Sequence, residues 1–282
     1  MVNETAAHVL VEENIVHSTF LDRDVIVDAY FPKDVKDPAN LSLLLINDGQ
    51  DLRRMPFSGI LDDLIAKEEI SQLICIGIHC GPERKMEYGV AATPDYMGRG
   101  AKAGEYTDFI FKELLPYLRT RYYLPYFREK SFAGFSLGGL SALDIVWNHP
   151  SEFTKCGVFS GSLWWRSASY KDDYDDDKHR IMHEEVKKGT YFPWLHFFFE
   201  CGAGDESADR NKNGIIDVID DTRDLISELK KIGYPKGNMK YLELPNGKHD
   251  VPTWASAFPD FLKWGWGKKE NTPVRKRLSA GI

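Results

Sequence analysis

The sequence predicts an α/β fold: one domain over residues 1–267, with a mostly parallel central sheet and helices on both faces. Three observations predict it. Short apolar runs at 41–46, 73–78, 155–159 and 239–244 alternate with stretches of helical period. Each run ends in a turn of small or polar residues. One such turn, Gly134-Phe135-Ser136-Leu137-Gly138-Gly139, leads from an apolar run straight into a helix-forming one at 140–148, with a single serine at the corner.

In chain order, residues 15–21 and 24–30 are the first strand candidates. The second alternates Val25, Val27 and Ala29 and is stopped by Phe31-Pro32, which suits an antiparallel edge. Residues 41–46 suit a strand covered on both faces and end at Asn47-Asp48-Gly49-Gln50-Asp51. A helix follows at 58–69, with Ile60, Leu61, Leu64 and Ile65 on one side, and then a buried strand at 73–78 that ends at His79. Residues 81–104 are irregular and rich in Gly, Pro and charge; loops of that length inside compact domains are often functional. Residues 105–122 carry a helical stripe through Phe109, Ile110, Leu114, Leu115 and Leu118, and Pro116 predicts a kink. Beyond the serine turn come a strand at 155–159, an excursion or lid at about 163–193, and a strand at 194–201. A helix at 222–232, a strand at 239–244 and a helix at 252–264 complete the pattern. Residues 268–282 read as a basic, flexible tail. Right-handed crossovers place the carboxyl ends of such strands around one cleft.

A chain of 282 residues can bury a sizeable core. Its net charge of −7 offers no basic footprint, so a nucleic-acid partner is not expected. No apolar run approaches a membrane span, so no membrane association is expected either. Cys75, Cys80, Cys156 and Cys201 form no C-x-x-C pair and read as small hydrophobes in a reducing compartment. The expectation is therefore a cytoplasmic protein. Met1-Val2-Asn3-Glu4-Thr5 has no basic or apolar leader region, although a secretion leader removed ahead of this sequence would leave no trace in it.

The serine turn carries the chemistry. Gly134 and Gly138 flank Ser136 because a Cβ on either side of so tight a turn would clash, and the following helix end offers unpaired N–H groups. A serine hydroxyl is a poor nucleophile unless an imidazole takes its proton and a carboxylate orients that imidazole. In the order Ser, acid, His, the candidates are Ser136, Asp205 and His249. Asp205 follows Gly202-Ala203-Gly204 after a late strand, with Glu206 as the alternative; His249 lies in Gly247-Lys248-His249-Asp250 before the last helix. The amides of Leu137 and Gln50 are the candidate oxyanion hole. His79 precedes the serine and reads as pocket lining, and Trp164 and Trp165 are candidates for an aromatic wall over the substrate.

Leu45-Ile46-Asn47-Asp48-Gly49-Gln50, Arg84 with Glu87-Tyr88, Glu113-Leu114-Leu115-Pro116, the serine turn and Gly247-Lys248-His249-Asp250 occur in that order. With them the chain resembles the putative-esterase family of α/β-hydrolases. That family includes enterochelin esterases, feruloyl and acetyl-xylan esterases, S-formylglutathione hydrolases and mycolyltransferases. The resemblance implies an α/β-hydrolase fold and a serine-dependent carboxylic ester hydrolase acting through an acyl-enzyme, with Ser136, Asp205 and His249 as the triad. It implies no cofactor for catalysis, and a small-molecule ester (sugar-linked, aryl or siderophore) as substrate. An acyltransferase, or a non-catalytic carbohydrate- or siderophore-binding module, is the alternative; retention of Ser, Asp and His argues against the module.

Residues 209–220 add a separate expectation. Asp209, Asn211, Asn213, Asp217 and Asp220 fall at positions 1, 3, 5, 9 and 12 of an EF-hand-like loop, with Gly214 at 6 and the carbonyl of Ile215 at 7. They suggest a structural Ca²⁺ that pins the loop after Asp205, with a metal-free polar turn as the competing reading.

Overall fold

The protein is described here by a computed structural model covering residues 6–268. The expected tail from 269 onward lies outside the described residues. The strands are β1 (Val9–Ser18), β2 (Arg23–Pro32), β3 (Ser42–Asn47), β4 (Leu73–Ile78), β5 (Lys130–Phe135), β6 (Lys155–Phe159), β7 (His196–Gly204) and β8 (Met239–Lys248). They form one sheet in the spatial order β1-β2-β4-β3-β5-β6-β7-β8. β1 and β2 make an antiparallel edge, and every pairing from β4 through β8 is parallel. The helices are α1 (Gly49–Leu52), α2 (Phe57–Ala66), α3 (Arg84–Glu87), α4 (Ala103–Asp108), α5 (Leu115–Arg121), α6 (Leu137–Asn148), α7 (Asp176–His179), α8 (Ile181–Lys188), α9 (Asp217–Lys231) and α10 (Val251–Trp266).

Side chains alternate across a strand, and β3 shows what that does to a continuous apolar run. Leu43 and Leu45 enter the core shared with Phe109, Leu140 and Leu225. Leu44 and Ile46 enter the other, shared with Leu61 of α2 and Phe258 and Phe261 of α10. Each face of the sheet is thus sealed by helices, and a buried leucine of this kind contributes about 1.5–3 kcal/mol.

Three departures from the sequence reading have physical causes. The helix expected at 105–122 does not simply kink at Pro116. Between α4 and α5 the residues Phe109–Leu114 form a π-helical turn, and the Leu115 N–H reaches back to Ile110 O. Pro116, which has no N–H to donate into the preceding turn, stands just after this π-helical turn at the start of α5. Helix α9 begins at Asp217 rather than 222, because the Glu206 carboxylate accepts the Val218 amide at 2.7 Å and caps it. The 163–193 excursion contains α7 and α8, pinned to α9 by charge. Arg180, 3% exposed, bonds Asp221 at 2.7 Å and Asp224 at 2.8 Å, while Arg210 bonds Asp176 at 2.7 Å and also pairs with Asp221.

Candidate active site

At the carboxyl end of β5 the chain turns abruptly into α6. Ser136 makes the turn with φ 55° and ψ −121°, a strained conformation for any residue with a Cβ. The packing leaves no other course. A Cβ on Gly134 would overlap the Gly138 carbonyl, and one on Gly138 would stand 2.5 Å from Asp48 Oδ2. The Ser136 N–H donates to Phe159 O on β6 at 2.8 Å, which fixes the corner to the neighbouring strand. Its Oγ lies 3.4 Å from Ser162 Oγ, and the Ser162 N–H donates to Ser136 O at 3.0 Å.

The loop after β3 comes up against this turn. Asn47, fully buried, donates from Nδ2 to Gly138 O at 2.8 Å and accepts the Tyr106 hydroxyl at 2.6 Å. Asp48 adopts the left-handed conformation and is held by a two-pronged bond from Arg84, at 2.6 and 2.7 Å. Glu87 is bonded just as firmly to Arg23, so both residues tie the long 81–104 loop to the sheet. Gln50 and Leu137 stand in the first turns of α1 and α6, where backbone N–H groups have no carbonyl of their own helix to bond.

Facing the serine is a pocket of about 300 Å³, whose walls include Ser136, Ser162, Trp164, Asp205, Glu206 and His249. Asp205 is 1% exposed and His249 40% exposed, with Nδ1 3.7 Å from Asp205 Oδ2. That separation exceeds a hydrogen bond, and both Asp205 oxygens are buried with no hydrogen-bond partner among the described residues. The His249 ring meets Trp254 edge-on, with centroids 5.3 Å apart, and the Trp254 indole N–H donates to Ser160 Oγ at 2.9 Å. Glu206, the alternative acid, is occupied at the start of α9; burial first, then Asp217 and Asp221, raise its pKa.

The pocket thus gathers Ser136, Asp205, His249 and Trp164. Two expected lining residues lie elsewhere. Trp165 is fully buried, with its ring laid against Gly89 and Gly100, so it is a core residue that supports the 81–104 loop. His79 is 12% exposed and bonds Asp28 at 2.8 Å, away from the pocket. In the 209–220 loop Asp209 accepts the Asn213 and Gly214 amides, Asn213 accepts the Ile215 amide, and Asn211 and Asn213 both donate to Asp220. Asp217 turns instead to Arg210, accepting its amide at 2.9 Å. Among the described residues no group of three or more His, Cys, Asp or Glu is placed to hold a metal ion. Ser160-Gly161-Ser162, at the carboxyl end of β6, lines the pocket as the order of strands and turns implies, whereas the sequence reading gave Glu200 no role. An acid inside the run Phe197-Phe198-Phe199-Glu200-Cys201 was a legible signal, since charged groups rarely enter buried strands unpaired.

A parallel sheet entered by an antiparallel hairpin, with a serine strained at a strand–helix corner and an acid and a histidine following it in the chain, defines an α/β-hydrolase. The sequence matches the Putative esterase family over residues 18–264, and the chain belongs to that family: it is a carboxylic ester hydrolase. It is 22% identical over 249 residues to the uncharacterized protein YbbA of Bacillus subtilis strain 168, covering 86% of this chain and 92% of that one. Its fold is similar to that of a ferulic acid esterase, with a TM-score of 0.68, 19% identity, and 91% of this chain and 97% of the other covered. It is also similar to the enterobactin esterase FES of Shigella flexneri, with a TM-score of 0.69 and 19% identity, where 90% of this chain spans 58% of that protein. A siderophore hydrolase, EstB of Aspergillus nidulans, superposes with a TM-score of 0.64 at 17% identity, covering 90% and 94% of the two chains. No helix among the described residues is long and apolar enough to cross a membrane.

Proposed function

We propose that the enzyme hydrolyses its ester through an acyl-enzyme on Ser136, with His249 as general base and Asp205 as the acid that orients it. The observation that carries this reading is the orphaned carboxylate. A buried acid without a partner is rare and calls for an explanation. Asp205 has one imidazole within 3.7 Å, and catalytic hydrogen bonds are often long before substrate binds. A shift of about 1 Å in His249 would close the gap.

The reaction then runs on side chains of this chain. His249 takes the proton from Ser136 Oγ, which attacks the ester carbonyl. The Gln50 and Leu137 amides receive the oxyanion, and His249 returns the proton to the leaving alcohol. Water repeats the cycle on the acyl-enzyme. For the substrate we infer a small ester with an aryl-bearing part. Trp164 on the pocket wall offers a stacking face, and relatives of this fold are named for ferulic acid and enterobactin.

The test is hydrolysis of p-nitrophenyl acetate and an aryl ester by wild type and Ser136→Ala, each with and without a calcium chelator. Loss of at least ~10⁴-fold in the variant supports the nucleophile, and equal rates overturn it. The 209–220 loop is already closed by its own hydrogen bonds, so chelation is expected to leave the rate unchanged. A fall that added calcium reverses would instead assign that loop a structural ion.

A further inference from the structure

A second carboxyl lies behind Asp205. Glu200 is on β7 between Phe199 and Cys201, is 1% exposed, and neither of its oxygens has a hydrogen-bond partner. Its backbone is locked to β6, where the Ser160 N–H donates to Glu200 O at 2.8 Å. Successive side chains alternate across a strand, so the face that carries Glu200 carries position 202 next. Position 202 is glycine, and a Cβ there would stand 2.5 Å from Asp205 Oδ1. The Asp205 carboxylate therefore folds back into the space of the missing side chain, one step along the same face from Glu200.

Two buried carboxyl groups at successive positions of one strand face disfavour each other's ionised form. The other groups around Glu200 offer no compensating cation. From β6 comes the Ser160 hydroxyl, whose oxygen accepts the Trp254 indole N–H of α10 and whose own hydrogen can still turn to Glu200. From the loop between β8 and α10 comes His249, on the Asp205 side. The acids of α9, Asp217 and Asp221, bear on Glu206 and Arg210 instead. No Lys or Arg among the described residues pairs with Glu200. Burial first, then repulsion from Asp205, push its pKa up to about 8 against a smaller pull from Ser160.

We propose that Glu200 is a positioning residue for the esterase reaction: as a neutral acid it donates its proton to the Asp205 carboxylate and holds that carboxylate toward His249. The proton stays on Glu200, and no bond to substrate is involved. This rests on Asp205 being the triad acid. It gives a fully buried strand position a reason to be Glu.

The experiment is the pH profile of kcat/KM on a p-nitrophenyl ester for wild type, Glu200→Gln, Glu200→Leu and Asp205→Asn, with melting curves for each. Gln keeps a donor that cannot ionise. Glu200→Gln should therefore stay within about threefold of wild type at pH 7, an effect smaller than one hydrogen bond, and should lose the wild-type alkaline fall centred near the Glu200 pKa of about 8. Glu200→Leu should lower kcat about ten- to hundredfold with KM unchanged, the worth of one hydrogen bond to a charged group, while its melting point holds. Superimposable Glu200→Gln and wild-type profiles, or a fully active Glu200→Leu, overturn the proposal. Asp205→Asn separates the two readings. Its loss of ~10⁴-fold keeps the triad whatever Glu200 does, whereas wild-type activity in Asp205→Asn overturns both.

Discussion

The Arg84–Asp48 pair makes a sharp prediction, because one substitution can remove its charge and little else. Asp48 sits at φ 59° and ψ 44°, a conformation that Asn tolerates nearly as well as Asp. Asp48→Asn therefore keeps the turn and the side-chain volume but leaves the Arg84 guanidinium without its counter-charge. Breaking a buried pair costs about 3–5 kcal/mol. Arg84 retains 29% exposure while Asp48 has 2%, so water screens part of the loss and brings it to or below the lower end of that range. About 2–3 kcal/mol corresponds to a fall of about 3–5 °C in melting temperature for a protein of this size. Activity should fall with it, by about tenfold, because the same turn sets the Gln50 amide, the proposed oxyanion donor, and such a donor is worth more than that in full. Thermal melts and kcat/KM on a p-nitrophenyl ester measure both. Adding Arg84→Met should recover most of the lost stability, since the uncompensated charge goes with it. A single Asp48→Asn variant that melts within 2 °C of wild type, at unchanged kcat/KM, would refute this account of the pair.

Two further outcomes follow from the packing and from burial. Gly134→Ala drives a methyl into the Gly138 carbonyl, which is backbone and cannot turn aside. Displacing the corner by about 1 Å should cost ~10²-fold in kcat/KM even where the variant folds, as circular dichroism would show. His183 is held neutral in the fold: burial first, then the Arg180 charge, lower its pKa from 6.5 to about 3. A lowered folded pKa means that the unfolded chain takes up the proton first, so the stabilisation is whole above pH 6.5 and drains away as pH falls toward 3. Urea midpoints across that window should show a loss of up to about 1.4 kcal/mol per pH unit that His183→Gln lacks, and equal slopes would sink the assignment.

The parts of the molecule legible in the sequence were those that leave periodic or steric marks. Strand β4 spans the 73–78 expected of it, because an apolar run bounded by turn residues admits few alternatives. The serine corner was legible because Gly134 and Gly138 are demanded by contact, which residue type records directly. The two tryptophans show the limit. Trp164 and Trp165 are adjacent and alike, yet one lines the pocket and the other is sealed over Gly89 and Gly100. Which way each ring points is decided by the tertiary packing of a loop some 65–75 positions earlier in the chain, and no local pattern carries it. The same holds for His79, whose partner Asp28 is contributed by an antiparallel neighbour 51 positions away.

One side chain, Asn47, has a consequence for how the enzyme comes into being. It reaches Tyr106 across 59 positions and Gly138 across 91, so the Ser136 corner and the loop after β3 are clasped only when three distant segments have met. Contacts between residues so far apart in the chain form late and slowly. The active centre therefore has no local fragment. A chain emerging from the ribosome stays chemically silent until its strands have been laid side by side, and the appearance of esterase activity marks the closing of the fold.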